Sequence, residues 1–160
     1  MPSAQLVSNL AAATERAAEA VGRSLRPGDV VLVSGDVGTG KTTFVRGACR
    51  ALGVRAPVTS PSFTIGRRYD GAVPVSHVDL FRLDSLADED PGLLADYTSP
   101  EGITFVEWPK EAVTELEPER VVLRVRLEHL GGDLRAVRAS GDPALVNALR
   151  EALSADRTAK

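Results

Sequence analysis

The hydrophobic pattern of the first third of the chain predicts a helix, a strand and a second helix. Apolar and small residues recur at helical spacing over residues 8–25, in alanine-rich sequence where Ser8 or Asn9 can act as the N-terminal cap. A short apolar run rich in β-branched residues follows at 29–34 and is typical of a strand buried on both faces. Residues 42–52 again favour a helix. This order of elements is typical of the start of a parallel α/β sheet.

The middle of the chain contains three further apolar segments with strand character. Residues 63–69 and 73–80 are separated by an Asp-Gly dipeptide, which is a strong hairpin signal. Residues 103–108 favour another short buried strand. The acidic stretch 84–96 is expected to be loosely helical, and residues 109–116 to form a helix with proline in its first turn.

The periodicity changes in the last quarter of the chain. Residues 121–128 alternate between apolar and polar, the period of two expected of an antiparallel strand with one wet face. A Gly-Gly-Asp turn leads into a second strand at 134–140, and residues 143–153 favour a closing helix. With 160 residues the chain fits one domain, which we assign to residues 1–155, leaving 156–160 as a frayed tail.

Composition and charge narrow the function classes. No run approaches the roughly 18 apolar residues that span a bilayer, and the N-terminus lacks the basic start and apolar run of a signal peptide. We therefore expect a cytoplasmic protein without membrane contact. The single cysteine, Cys49, permits neither an internal disulfide nor a structural zinc site. The net charge of −3 and the pI near 5.4 disfavour direct binding of nucleic acid.

The segment Gly35-Asp36-Val37-Gly38-Thr39-Gly40-Lys41-Thr42 carries the clearest chemical signal. Its spacing is that of a phosphate-binding loop, and it lies between a predicted strand and a predicted helix. Glycines let the chain bend so that successive backbone N–H groups surround an anion. Lys41 can then place its ammonium near the β- and γ-phosphates, and Thr42 can offer a hydroxyl to Mg²⁺. We therefore predict that this loop binds ATP or ADP with Mg²⁺.

Magnesium in such a site needs a carboxylate partner, and two acids are candidates. Glu107 ends the most apolar of the later strands and Asp79 ends an earlier one, so both can lie at the carboxyl edge of the sheet, where ligands bind in such folds. His77 lies two residues before Asp79, on the same face of that strand, and we interpret it as a hydrogen-bonded structural histidine. Trp108 is either a core residue or part of a mobile surface.

Together these features predict an α/β fold of the P-loop NTPase type, a three-layer sandwich. Its central sheet is expected to be mostly parallel and flanked by helices, with an antiparallel C-terminal hairpin. The guanine-reading Asn-Lys-x-Asp and the switch Asp-x-x-Gly of GTPases do not occur in the sequence. ABC-type and AAA-type ATPases are larger and carry Asp-Glu where this chain has Glu107-Trp108. A small-molecule kinase remains compatible with the size of the chain and the form of the loop.

Four blocks in order across most of the chain resemble the TsaE family, the ATPases of bacterial tRNA threonylcarbamoyladenosine biosynthesis. They are Gly-Asp-Val-Gly-Thr-Gly-Lys-Thr-Thr at 35–43, Val-Thr-Ser-Pro-Ser-Phe at 58–63, His-Val-Asp-Leu-Phe-Arg-Leu at 77–83 and Glu-Trp-Pro at 107–109. The resemblance implies a protein that hydrolyses ATP slowly by itself and works with the partners TsaB and TsaD, which transfer the threonylcarbamoyl group to an adenosine beside the tRNA anticodon. The acidic balance of the chain disfavours direct contact with the tRNA itself.

The resemblance also implies roles for individual residues. Lys41, Asp79 and Glu107 are expected to form the catalytic group, with Thr42 and Glu107 holding the metal; either acid can position the water. Residues 59–62 correspond to the switch loop of the family. The nucleotide-binding set is expected to comprise Thr14, Asp36, Val37, Gly38, Thr39, Gly40, Lys41, Thr42, Thr43 and Arg135.

The chain departs from the family pattern at two places in these blocks. Ser62 replaces the usual threonine and keeps its hydroxyl, whereas Phe81 replaces the usual tyrosine and loses one.

Two other functions stay open. In a small-molecule kinase, Asp79 would act toward an acceptor hydroxyl and residues 84–102 would form a lid. In a nucleotide-gated interaction module, ATP would serve only as a conformational switch.

Overall fold

The chain forms seven strands, three α-helices and one 3₁₀ turn within residues 2–61, 65–81, 94–109 and 116–158, which the computed structural model describes. In chain order these elements are β1 Ser3–Ser8, α1 Ala11–Gly22, β2 Val30–Gly35, α2 Lys41–Ala51, β3 Gly66–Tyr69, β4 Val75–Asp79, β5 Ile103–Glu107, the 3₁₀ turn Pro118–Arg120, β6 Val121–Gly131, β7 Leu134–Gly141 and α3 Pro143–Thr158. The strands pair in one sheet in the order β1-β7-β6-β2-β5-β4-β3. No helix formed by these residues is long and apolar enough to cross a membrane.

Parallel pairing is confined to the centre of the sheet. Strand β2 lies between β5 and β6 and runs parallel to both, and β4 runs parallel to β5. Strands β1 and β3 join the edges in antiparallel fashion, and β6 and β7 form the predicted antiparallel hairpin. The α/β prediction is therefore confirmed. The predicted parallel centre and antiparallel C-terminal hairpin are present, and the antiparallel edge strands β1 and β3 make the sheet as a whole mixed.

The N-terminal segment differs from its prediction. Residues 3–8 form an edge strand, and helix α1 begins only after Leu10, whose backbone is extended with φ −150° and ψ 155°. Ser8 does not cap the helix; its hydroxyl donates to the carbonyl oxygen of Leu10 at 3.0 Å. Strand β1 pairs with β7 along its whole length, so one edge of its backbone is hydrogen-bonded and Ser8 belongs to the strand instead of the predicted helix.

The two faces of the sheet are covered by different parts of the chain. Helices α1, α2 and α3 pack on one face against alternate strand residues, among them Val31, Val33, Phe105, Leu123 and Val137. The opposite face presents Val30, Leu32 and Val106 to Leu94 and Leu116. The helices predicted at 84–96 and 109–116 lie mostly outside the described residues. The three-layer arrangement therefore stays a prediction.

The remaining predicted elements are present with shifted ends. Helix α3 continues to Thr158, although the sequence predicts an end at 153 and a frayed tail from 156. No glycine or proline after Pro143 would stop the helix earlier, and a frayed tail from residue 156 stays a prediction. The assignment of residues 1–155 to one domain stays a prediction.

Candidate nucleotide-binding site

The loop between β2 and α2 has the shape of an anion cradle. Gly38 and Gly40 adopt positive φ angles of 80° and 102°, which residues other than glycine rarely adopt. A Cβ at Gly35 would lie 2.3 Å from the carbonyl oxygen of Leu127 on β6, so only glycine fits between loop and strand. The loop leads directly into the N-terminus of α2, where unpaired N–H groups and the helix dipole favour an anion.

The side chain of Lys41 folds back over this loop. Its Nζ donates to the carbonyl oxygens of Gly35 at 2.8 Å and Asp36 at 2.9 Å, and lies 4.3 Å from the ring centroid of Trp108. Burial lowers the pKa of Lys41, whereas Glu107 and other nearby carboxylates act in the opposite direction. An ammonium held only by neutral carbonyls and a ring face gains a stronger partner when a phosphate enters the loop.

Glu107 is the buried acid of the site, with an exposed fraction of 2%. Its carboxylate accepts a hydrogen bond from the hydroxyl of Thr42, whose Oγ1 lies 3.1 Å from Oε1 and 3.2 Å from Oε2. His77 Nε2 lies 2.5 Å from the same Oε2. Hydroxyl and carboxylate oxygens are the ligands that Mg²⁺ prefers in proteins, and here they lie side by side.

Asp79 lies beside Glu107 at the carboxyl ends of two neighbouring parallel strands. The two acids are direct register partners of β4 and β5. Asp79 accepts hydrogen bonds at 2.9 Å from the hydroxyl of Ser60 and at 2.9 Å from the backbone N–H of Phe81. Like charges directly opposite each other are unfavourable, so this edge of the sheet is suited to a cation.

A cavity of about 410 Å³ lies above these groups. It is lined by Val37, Gly38, Gly40, Lys41, Thr42, Thr43, Ser60, Asp79, Phe81, Glu107 and Trp108. The structure therefore brings both predicted acids and five of the predicted loop residues to one cavity of a size typical of small-molecule sites.

The other predicted nucleotide-binding residues, Thr14, Asp36, Thr39 and Arg135, do not line this cavity. Thr14 is buried at the start of α1, and its Oγ1 lies 2.8 Å from Oγ of Ser8. Arg135 lies behind the loop and donates to the carbonyl oxygens of Thr39 at 3.2 Å and Gly38 at 3.3 Å. Direct contact of these residues with a nucleotide stays a prediction.

Two aromatic rings cover one side of the cavity. Trp108 has a φ of 53° and is the one residue other than glycine with positive φ in the described ranges. This backbone conformation ends β5 and places the ring over Lys41 and 4.8 Å, centroid to centroid, from the ring of Phe81. Phe81 is 51% exposed. The sequence alone assigned neither ring to the site, although Trp108 directly follows Glu107 and Phe81 lies two residues after Asp79.

His77 and Ser60 each contact one of the two acids of the site, and the sequence alone predicted neither contact. His77 is fully buried and contacts Glu107, so the interpretation as a hydrogen-bonded histidine is correct but incomplete. The available signal was the period of two, which places His77 and Asp79 on one face of a strand that ends at the loop. Ser60 belonged to the expected switch loop at 59–62; Ser62 lies outside the described residues.

The residues present fit a nucleotide with Mg²⁺. The cradle has the backbone conformations that a phosphate requires, Lys41 lies at its edge, and Thr42 and Glu107 offer adjacent oxygens. A loop of this spacing between a parallel strand and a helix, with acids at the ends of the adjoining strands, defines the P-loop NTPase class.

Comparison with known proteins agrees with this class and narrows it. The crystal structure of Bacillus subtilis YdiB superimposes with a TM-score of 0.73 and 28% sequence identity, covering 98% of this chain and 97% of that one. The family model described as "Threonylcarbamoyl adenosine biosynthesis protein TsaE" matches residues 8–137.

Relatives named tRNA threonylcarbamoyladenosine biosynthesis protein TsaE match over most of their length. The Streptomyces coelicolor protein is 43% identical over 113 residues, which is 68% of this chain and 74% of the relative. The Treponema pallidum protein is 35% identical over 121 residues, which is 76% of this chain and 90% of the relative. The chain therefore belongs to the TsaE family, as its four sequence blocks predicted, and with it to threonylcarbamoyladenosine biosynthesis.

Proposed function

We propose that this protein is a weak, Mg²⁺-dependent ATPase that acts with TsaB and TsaD when the threonylcarbamoyl group is formed on tRNA. The observation that supports the proposal most directly is the contact between the Thr42 hydroxyl and the buried Glu107 carboxylate, at the mouth of the phosphate loop. Loops that bind phosphate without metal chemistry do not need a buried acid against this hydroxyl.

The residues of the chain divide the work of phosphoryl transfer among them. The loop amides and the Lys41 ammonium bind the phosphates, and Lys41 exchanges its two carbonyl partners for phosphate oxygens. Thr42 and Glu107 are the residues that would hold Mg²⁺, which would supply charge neutralisation there. Little covalent chemistry is required of the protein, so positioning and electrostatics carry the reaction.

We assign the orientation of the attacking water to Asp79. Glu107 is already bound by Thr42 and His77, and its oxygens are needed for the metal. Asp79 lies at the cavity and is bound by Ser60, a residue of the expected switch loop. Movement of Ser60 away from Asp79 frees one carboxylate oxygen for water.

A low rate of hydrolysis without partners follows from the charges around the cavity. Among the described residues that line it, Lys41 is the only basic one. A well-placed arginine contributes about 10³- to 10⁵-fold to phosphoryl transfer in related enzymes. We therefore expect that TsaB and TsaD order the site or complete it.

Single-turnover hydrolysis of labelled ATP tests this function. Wild type should release inorganic phosphate slowly alone and faster with TsaB and TsaD, while Lys41→Met should lose nucleotide binding. Glu107→Gln should retain binding of ATP but stop hydrolysis, because the metal loses a charged ligand. Equal rates with and without the partners would contradict the partner-stimulated reaction, and label appearing in a metabolite instead of phosphate would favour a small-molecule kinase.

The Glu107→Gln variant also distinguishes a protein that hydrolyses ATP in each round of modification from one that uses ATP only as a conformational switch. If ATP acts only as a conformational switch, the Glu107→Gln protein should still support full tRNA modification with TsaB and TsaD. If hydrolysis is needed for each round, this variant should stop after a single round. Counting modified tRNA per protein molecule distinguishes these outcomes.

A further inference from the structure

The contact between His77 and Glu107 is built into the sheet. His77 is the register partner of Phe105, two residues before Glu107 on the same face of β5. Diagonal neighbours of this kind are within reach of long side chains. Both residues are almost completely inaccessible, with exposed fractions of 0% for His77 and 2% for Glu107. The pair is therefore held by backbone pairing and burial, with Glu107 at the edge of the cavity.

The surroundings of His77 indicate which of its ring nitrogens carries the proton. His77 Nε2 lies 2.5 Å from Oε2 of Glu107, and Nδ1 has no hydrogen-bond partner among the described residues. If Nε2 carries the proton, it donates to the carboxylate and leaves only an acceptor unpaired at Nδ1. The other tautomer would bury an N–H group without a partner and place a lone pair against the carboxylate. The geometry therefore favours the tautomer protonated at Nε2.

The other hydrogen bond to Glu107 comes from the residue that the proposed function also places on the metal. Thr42 donates its hydroxyl hydrogen to the carboxylate, and the lone pairs of the same oxygen stay available to Mg²⁺. Among the described residues, His77 is the side-chain donor to Glu107 that would not itself touch the metal.

From these contacts we propose that His77 is a positioning residue, which fixes the carboxylate of Glu107 so that one oxygen faces the Mg²⁺ site beside Thr42. The proposal rests on the proposed function, because it takes Glu107 as the acid that holds the metal. It gives the buried histidine a task beyond packing: it orients a metal ligand, as partners behind metal ligands commonly do.

Two variants of similar size separate orientation from packing. His77→Gln keeps an N–H donor at the end of the side chain, whereas His77→Met keeps the bulk and removes the donor. Binding of ADP is measured in EDTA, and binding of Mn²⁺ to the ADP complex is followed by electron paramagnetic resonance. His77→Met should weaken Mn²⁺ binding by about 10- to 100-fold, the usual effect of losing a partner behind a metal ligand. His77→Gln should bind Mn²⁺ close to wild type, and all three proteins should bind ADP equally in EDTA.

Unchanged Mn²⁺ binding by His77→Met, or equal losses in both variants, would overturn the proposal. A readout on the wild-type chain keeps the test independent of how well the variants fold. The chain has only two histidines, so ¹⁵N spectra of its imidazoles are simple to assign. The Nε2 of His77 should carry the proton; a ring protonated at Nδ1 and not at Nε2 would contradict the proposed hydrogen bond. A wild type that binds no ADP at all would instead refute the proposed function.

Discussion

Arg135 supports the phosphate loop from behind. Its guanidinium donates to four carbonyl oxygens, two in the loop at Gly38 and Thr39 and two in its own turn at Gly132 and Leu134. A planar guanidinium can serve several acceptors at fixed angles, which an ammonium cannot. The loop therefore depends on the shape of this side chain as well as on its charge.

We expect that both Arg135→Ala and Arg135→Lys weaken ADP binding by about 10-fold, because each removes charge-assisted hydrogen bonds worth roughly 1.5 kcal/mol or more to loop order. Isothermal titration measures the affinities. Arg138→Ala is the matched control, since Arg138 lies exposed on the same strand, where Glu128 is 3.7 Å away. Full affinity in Arg135→Lys would show that charge alone suffices.

The positions of residues around the cavity could be predicted from the sequence wherever a motif fixes both residue type and spacing. The glycines, Lys41 and Thr42 lie where the loop pattern places them. The contacts of His77 and the ring position of Trp108 could not be predicted in the same way. They depend on the register of β4 against β5 and on a positive φ after β5, which are tertiary features with no local sequence signal.

At the scale of elements, helices α1 and α2 approach each other unusually closely. A Cβ at Gly47 would lie 2.2 Å from the carbonyl oxygen of Glu15, and one at Gly22 would lie 2.5 Å from that of Ala48. Since α2 begins at the phosphate loop, the position of α1 determines how this helix is held. Glycine is needed here for close packing of helices, and not for a special backbone angle.

Gly47→Ala should lower the free energy of unfolding by about 1–3 kcal/mol, the usual cost of overpacking. This loss should appear although alanine favours a helix by about 1 kcal/mol over glycine. Urea unfolding measures the change, and Glu151→Ala on the exposed side of α3 controls for the introduced alanine. A Gly47→Ala protein as stable as wild type would mean that the helices separate at little cost.

Helix α2 also contains Cys49, whose thiol is buried. Burial raises the pKa of the Cys49 thiol from 9.0 to about 12. Because the pKa is raised in the folded state, the thiol contributes its full stability below about pH 9. Between about pH 9 and 12 the unfolded chain loses this proton more readily, so stability falls as the pH rises.

The stability of wild type relative to Cys49→Ala should therefore fall by about 1.4 kcal/mol for each pH unit above 9. Urea unfolding of both proteins at pH 8 and pH 10 measures the difference, in which other alkaline titrations cancel. Below pH 8 the difference should be constant, and the native thiol should resist labelling reagents. A difference that does not change with pH would show that the thiol is reached by solvent in the folded protein.

The elements themselves were predictable where one pattern dominates. Helices α2 and α3, each of which follows a strand, and the alternating strands of the C-terminal hairpin follow directly from the periodicity of the sequence. Strand β1 was missed because its six residues alternate only weakly and gain their pairing from β7, which is more than a hundred residues away. The mixed sheet follows from the same long-range pairing, which local patterns do not encode.

At the scale of the whole molecule, the distribution of charge affects the affinity of the protein for tRNA. The net charge is −3. The arginines of the exposed face of the C-terminal hairpin are partly neutralised there, because Glu128 lies 2.9 Å from Arg126 and 3.7 Å from Arg138. Affinity for a nucleic acid depends on the number of phosphates that basic groups neutralise, and this surface offers few that are unpaired.

We therefore expect that the protein alone does not bind tRNA at about 10 µM and roughly 0.15 M salt, a range in which many basic proteins bind non-specifically. Electrophoretic mobility shifts with tRNA measure this, with the TsaB and TsaD mixture as the positive control. Weak binding that appears only at low salt and is lost in Arg126→Ala would be a non-specific effect of the hairpin. Tight binding at physiological salt would contradict the expectation and would mean that the protein itself approaches the tRNA.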